Sequence, residues 1–135
     1  MSNPEYAAAA ALLLRLALGV MFLAHAWLKI KVFTPAGTAQ FFKSLGLPGE
    51  VAYLTIAAEV GGGVLLILGI ETRWVALALV PLMLGTIVLV HGKAGWQFTN
   101  KDGGWEYPAF WIVGLLALAL LGDGAAALGP MLGLR

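Results

Sequence analysis

The sequence contains no cysteine among its 135 residues. A chain without thiols can form neither a disulfide framework nor a redox-active CxxC pair, and it cannot bind a metal through thiolate ligands. Any thiol chemistry in which the protein takes part must therefore belong to a partner.

Charged residues are also scarce, at 11% of the chain, whereas they make up roughly a quarter of a soluble protein. The formal net charge is only +1, and a nucleic-acid-binding surface needs clustered Lys and Arg, so nucleic acid is excluded as an expected partner. Hydrophobic residues make up 61% of the chain, more than a soluble domain of this length can bury. The lipid bilayer is therefore the expected solvent.

Apolar stretches of about 20 residues, the length of a helix that crosses a ~30 Å hydrocarbon core, predict an all-α, polytopic membrane protein. We expect a four-transmembrane-helix bundle that forms a single domain over residues 1–135. Ala24-His25-Ala26 resembles a signal-peptidase site, but Glu5 stands where a positive n-region is expected, so the first stretch is predicted to remain a helix. The predicted spans are residues 7–30, 51–70, 74–92 and 107–127.

The distribution of Lys and Arg predicts the orientation of the bundle. Only Glu71-Thr72-Arg73 separates the second span from the third, so these helices should be antiparallel neighbours. Four spans place both termini on one side, near Arg73 and Arg135, and the two long loops on the other side. By the positive-inside rule the long loops are cytoplasmic and both termini lie outside the inner (plasma) membrane. The lysines that flank the long loops are Lys29, Lys31, Lys43, Lys93 and Lys101.

Residues 31–50, the first long loop, carry Phe41-Phe42 between Pro and Gly residues, which predicts a surface segment with a short interfacial helix. Aromatic residues cluster at the same predicted membrane face and should form an interfacial belt. They are Trp27, Tyr53, Trp96, Trp105 and Tyr107.

Ionisable side chains within or beside the spans are the candidate functional residues, because a charge in the bilayer is costly and is usually paired and functional. The spans alternate in direction, so five of these side chains fall toward the predicted cytoplasmic face. Arg15 and Asp123 lie nearer the other face, where we expect Arg15 to reach outward and Asp123 to be a helix-end polar residue. The five predicted ligand-binding residues are His25, Lys29, Glu59, His91 and Glu106.

Glu59 is the deepest of these residues, eight positions after the start of its span and therefore ~12 Å inside the bilayer. A single carboxylate at that depth should be protonated or paired with a cation. The candidate partners are His25, Lys29, His91 and Arg15. The same residues also fit a purely structural ion-pair cluster, and Lys29, His91 and Glu106 could be ordinary interfacial residues. We expect no metal, because the Glu-x-x-His pairs of di-iron bundles are absent.

Small residues in the second span predict close helix packing rather than a phosphate-binding loop. Gly61-Gly62-Gly63 lies in the middle of the span, and it forms small-xxx-small pairs with Ala57 and Ala58. Pro81 in the third span is expected to kink that helix.

The succession of these motifs resembles the DoxX family of small four-helix bacterial and archaeal membrane proteins, over nearly the whole chain. Two features depart from the family pattern. Ala26 replaces a Gly after the first His, and Gly122-Asp123-Gly124 is followed by alanines instead of Ser-x-Asp. The matching segments are Arg15-Leu16, His25-Ala26-Trp27-Leu28-Lys29, Leu45-Gly46-Leu47-Pro48, Glu59-Val60-Gly61-Gly62-Gly63, Leu68-Gly69, Thr72-Arg73, His91-Gly92 and Gly103-Gly104-Trp105-Glu106-Tyr107.

The resemblance implies a link to thiosulfate:quinone oxidoreductase and to membrane complexes for redox stress. We therefore expect a membrane subunit of a redox-linked system that holds a quinone-like or other small ligand in a polar pocket near one membrane face, together with a partner subunit or a second copy. The alternative from another class is a non-catalytic scaffold or assembly subunit. A small transporter has little support, since no span is discontinuous.

Overall fold

The computed structural model describes residues 4–97, 99–101 and 103–133. Every regular element within these residues is helical, as the composition and periodicity predict. Two short turns of other helical types, one at the end of α1 and one after α4, accompany six α-helices. The α-helices are α1 (Pro4–Trp27), α2 (Pro35–Ser44), α3 (Glu50–Leu68), α4 (Thr72–Leu89), α5 (Glu106–Leu121) and α6 (Leu128–Met131); the turns are a π-helical turn (Leu28–Val32) and a 3-10 turn (His91–Ala94).

Three helices in the described parts of the chain are long and apolar enough to cross a membrane, namely α1 with its π-helical turn, α3 and α4. The fourth, α5, is apolar but has only 16 residues, about 24 Å of helix. It stops before the predicted limit of residue 127 because Gly122 adopts a φ of 80°, outside the helical region. The predicted all-α membrane architecture is thus confirmed, with a shorter last helix.

The long helices form a ring in the order α1, α3, α4, α5. The most extensive contacts are between α1 and α3 and between α4 and α5, and the α1–α5 and α3–α4 contacts join these two pairs. Gly69, at a φ of 73°, ends α3 and its N–H bonds back to the carbonyl oxygens of Leu65 and Leu66. This tight turn makes α3 and α4 antiparallel neighbours, as predicted. The buried centre of the ring contains Phe22, Leu66, Trp111, Leu115 and Leu118.

Glycines allow the closest approach between helices. A Cβ added to Gly63 would lie 2.9 Å from the carbonyl oxygen of Gly19, so α1 and α3 meet backbone to backbone. Gly62 faces α4, where an added Cβ would lie 2.9 Å from Cδ1 of Leu79. The predicted packing role is confirmed for Gly62 and Gly63 but not for Gly61, and the predicted alanine pairs are wrong, because that side of α3 faces outward. The exposed small residues are Ala57, Ala58 and Gly61.

Arg15 is fully buried, and the expectation that it reaches outward is wrong. Its Nη1 donates to the carbonyl oxygens of Leu66 (3.3 Å) and Ile67 (3.2 Å) at the end of α3. Its Nη2 donates to the carbonyl oxygens of Ala125 and Ala126 in the segment after α5. These carbonyl oxygens, at the end of α3 and in the segment after α5, replace water around the guanidinium.

Asp123 lies directly after α5, in agreement with its predicted place at a helix end. Its Oδ1 accepts a hydrogen bond from the backbone N–H of Thr72 at the start of α4 (3.3 Å). The Nε of Arg73 donates to the carbonyl oxygen of Ala119 (2.8 Å). Both contacts tie the beginning of α4 to the end of α5, at the end of the bundle that holds Arg15.

Candidate functional site

The π-helical turn that extends α1 positions Lys29. Thr34 follows this turn at a φ of 65°, and its side chain caps α2 by accepting from the N–H of Gly37 (3.1 Å). The buried hydroxyl of Thr38 lies within hydrogen-bonding distance of the carbonyl oxygens of Thr34 (2.9 Å) and Lys29 (3.3 Å). The predicted interfacial helix is therefore α2, and it is fastened to the backbone of Lys29.

Lys29 and Glu59 form an ion pair that connects the π-helical turn to α3. Their Nζ and Oε1 atoms are 2.7 Å apart, and the side chain of Glu59 is only 4% exposed, against 21% for Lys29. A carboxylate so buried needs a compensating cation. The expectation that Glu59 is either protonated or paired is met by the pair with Lys29.

His91 and Tyr107 form a second polar pair, between the 3-10 turn and the first turn of α5. Nδ1 of His91 lies 2.7 Å from the carbonyl oxygen of Gly103, and its Nε2 lies 2.9 Å from the hydroxyl of Tyr107. Because a carbonyl can only accept, Nδ1 carries a proton, while the hydroxyl of Tyr107 can either donate to Nε2 or accept from it. The two rings also meet edge to face, with centroids 4.9 Å apart.

His25 packs against Trp111 on α5, with ring centroids 4.8 Å apart in an edge-on arrangement. Trp111 is 2% exposed and also contacts Phe22. Its buried indole N–H has no hydrogen-bond partner in the described part of the chain. A buried donor without an acceptor is costly.

These polar groups line one cavity of about 1200 Å³, at the end of the bundle covered by α2. Its walls come from α1, the π-helical turn, α2, α3, α4, the 3-10 turn and α5. Most of the lining is apolar. The apolar side chains in the lining include Phe33, Phe41, Phe42, Leu45, Leu47, Val51, Leu82 and Leu89.

Four of the five predicted ligand-binding residues face this cavity, namely His25, Lys29, Glu59 and His91. The fifth, Glu106, begins α5, where its N–H donates to the carbonyl oxygen of Trp96 (3.0 Å), and it is not among the lining residues.

Two lining residues, Tyr107 and Trp111, were missed as site residues. The sequence analysis placed Tyr107 in the aromatic belt. Its contact with His91 depends on the path of the loop between the 3-10 turn and α5, which the sequence does not reveal. The one available signal for Trp111 was its place one turn after Tyr107 on the same helix face. In the described residues, no group of three or more His, Asp or Glu side chains is arranged to hold a metal ion.

Comparisons with known proteins agree with this fold. The DoxX family model matches residues 10–92. A Bacillus subtilis (strain 168) protein named "Putative oxidoreductase CatD" is 36% identical over 119 residues, which cover 88% of this chain and 84% of that protein. No solved structure matches the chain.

Two proteins of Escherichia coli (strain K12) are also similar. Inner membrane protein YqjF is 30% identical over 123 residues, 90% of either chain. Inner membrane protein YphA is 33% identical over 124 residues, covering 87% of this chain and 86% of its own length. With a family match over more than half of the chain and relatives that are covered over most of their length, the chain is an integral membrane protein that belongs to the DoxX family.

Proposed function

We propose that the protein is a membrane subunit of a redox-linked system and that its cavity binds a quinone-like ligand. The observation that carries this proposal is the combination of apolar walls with several hydrogen-bond donors in one cavity. Ligand sites of this kind are largely apolar, with a few polar groups that fix orientation. The name of the Bacillus subtilis relative, which contains the word oxidoreductase, supports a redox role.

The donors suit the oxygens of a quinone, which can only accept hydrogen bonds. Trp111 offers a buried N–H without a partner, and the ammonium of Lys29 is partly exposed beside Glu59. His25 makes no hydrogen bond to another described residue, so its ring nitrogens are free to bind a ligand. These three groups come from the π-helical turn, α1 and α5, so a ring between them would contact several helices.

A bound quinone would supply redox chemistry in which electrons and protons are taken up together. The residues of this chain would hold the ring and deliver protons, because Tyr107, His91 and Glu59 are all groups that exchange protons. The hydrogen bond between Tyr107 and His91 links the cavity to the carbonyl of Gly103 in the loop after α4. Electrons carried by thiols would have to come from a partner subunit, since the chain has no cysteine.

The scaffold alternative rests on one specific contact, the ion pair between Lys29 and Glu59. This pair joins the end of α1 to α3 and could serve only to hold the two helices together. In that case the cavity would have no ligand, and the polar cluster would affect stability alone.

Binding of a short-chain benzoquinone to purified protein in phosphatidylcholine nanodiscs tests the proposal. The wild type should retain quinone above the level of nanodiscs without protein. Glu59→Gln should remain folded but bind at least about tenfold more weakly, because Lys29 loses its anchor and an amide cannot exchange a proton. Glu50→Gln, an exposed change on the first turn of the same helix, is the matched control and should bind like the wild type.

The double variant Glu59→Gln/Lys29→Met separates binding from a structural role. Removing one member of a buried pair leaves the other uncompensated, whereas removing both is less harmful. If the single variant melts at a lower temperature and the double variant regains both melting temperature and quinone binding, the cluster is structural. A wild type that retains no quinone would also contradict the proposal.

A further inference from the structure

The cavity is larger than a quinone ring requires. An apolar cavity of ~150 Å³ holds a benzene ring, whereas this cavity measures about 1200 Å³. The polar groups described above occupy only part of its wall, and the rest is formed by Phe, Leu and Val side chains. A ligand that fills this space therefore combines a polar ring with an extended apolar portion.

The side of the cavity formed by α4 lies within the hydrocarbon region. Pro81 is exposed and lines the cavity, and it stands nine residues after Thr72, about 14 Å along a helix of ~27 Å. Gly85, one turn further, also lines the cavity, and a Cβ added there would meet no atom within 4 Å. A hydrocarbon core is ~30 Å thick, so this open side of α4 faces acyl chains rather than water.

The opposite end of the same interface is closed. Gly62 and Leu79 bring α3 and α4 together, with Cδ1 of Leu79 only 2.9 Å from the position of an added Cβ. Beyond this contact the cavity lies between Val51, Thr55 and Glu59 on α3 and the last turns of α4. The cavity thus extends from the polar groups to the exposed Pro81, and we call this part of it, beside α4, the passage.

From this geometry we infer that the ligand is a membrane-resident amphiphile with a long apolar chain, and that its chain leaves the cavity toward the bilayer past Pro81 and Gly85. This inference rests on the proposed function, since the ring occupies the same site. Lipid tails are as apolar as leucine side chains, so the chain gains little affinity from the passage. The passage instead allows a chain-bearing ligand to reach donors that a closed bundle would hide.

Blocking the passage tests the inference. The probes are a benzoquinone that carries a decyl chain and the same ring with a methyl group in its place. Both should bind the wild type in nanodiscs. Gly85→Trp should weaken binding of the decyl compound by about tenfold or more and leave the methyl compound within about twofold of wild type. Gly61→Trp is the matched control, because Gly61 is exposed, has no atom within 4 Å of an added Cβ and does not line the cavity.

Each other outcome contradicts the inference in a recognisable way. If Gly85→Trp binds both compounds like the wild type, the chain does not pass Gly85, while the proposed function stands. If it loses both compounds equally, the substitution blocks the ring site and no separate passage exists. If the wild type binds neither compound, the proposed function itself fails. Gly85→Leu, with a melting temperature measured beside each titration, repeats the test should the larger side chain prevent folding.

Discussion

Arg15 is the side chain whose surroundings differ most from the sequence-based expectation. A guanidinium offers five N–H donors in a rigid, planar arrangement. Here Nη1 donates to the last carbonyls of α3, and Nη2 donates to the carbonyls of Ala125 and Ala126. Arg15 therefore caps α3 and holds down the segment after α5 at the same time.

Replacing Arg15 by Leu should destabilise the protein, because several carbonyl oxygens would lose their donor inside the fold. Each buried group left without a partner costs about 1–3 kcal/mol, so we expect a loss of about 2–4 kcal/mol in unfolding free energy. Arg15→Lys should recover only part of it, since one ammonium cannot reach both segments. The measurement is thermal unfolding in detergent.

Arg73→Leu is the control for this prediction, because Arg73 is an exposed arginine at the same end of the bundle with one hydrogen bond to Ala119. Its loss should cost less than about 1 kcal/mol. Equal melting temperatures for Arg15→Leu and Arg73→Leu would show that Arg15 is not a structural clamp.

Among the helices, the α1–α3 contact depends on two glycines that face each other. The carbonyl oxygen of Gly63 would lie 2.8 Å from a Cβ added to Gly19, and the reverse distance is 2.9 Å. Since backbone atoms cannot rotate away as side chains can, even a methyl group at either position must push the helices apart. In a bilayer such close packing is the main source of helix association.

Gly63→Ala should therefore lower the melting temperature in detergent, although alanine is the better helix former by about 0.5–1 kcal/mol. Gly61→Ala, two residues earlier on an exposed face with open space around it, should keep that intrinsic gain and melt at the same or a higher temperature. If both variants melt alike, α1 and α3 do not meet at Gly63.

The helices were predictable from sequence because lipid imposes length and apolar composition on each span. The residues at which the helices end were harder to predict. The limit of α5 depended on whether Gly122 would adopt a positive φ, and the π-helical turn around Lys29 depended on its contact with Thr38. Neither feature follows from hydropathy, since local backbone geometry and tertiary contacts decide both.

The two ends of the whole molecule carry polar residues for different purposes. At the end that holds the termini, Arg15, Arg73 and Asp123 bond to backbone groups and fasten helix ends. At the other end, polar side chains pair with one another or lack partners, and they face an open cavity.

The position of most residues in the candidate site was predictable because alternating spans bring their charges to one face. Glu106, Tyr107 and Trp111 were the exceptions. The long loop before α5 decides which face of that helix turns inward. Hydropathy and charge spacing contain no information about that loop.

The orientation of the bundle remains a prediction, and its basis is the excess of lysines beside the two long loops. Arg15, near the opposite face, is buried among the described residues, and the lysine bias predicts that the cavity lies at the cytoplasmic face. Because the chain has no cysteine, single introduced cysteines can report orientation without interference. Suitable exposed positions are Gln97, in the loop before α5, and Met131, near the C-terminus.

A membrane-impermeant maleimide added to intact cells should label Met131→Cys but not Gln97→Cys. After the membrane is permeabilised, both variants should react, which shows that each thiol is accessible. Labelling of Gln97→Cys alone in intact cells would reverse the orientation and move the cavity to the outer face. The ligand would still reach the cavity from the bilayer past Pro81 and Gly85 on α4. Its protons would then come from the opposite side of the membrane.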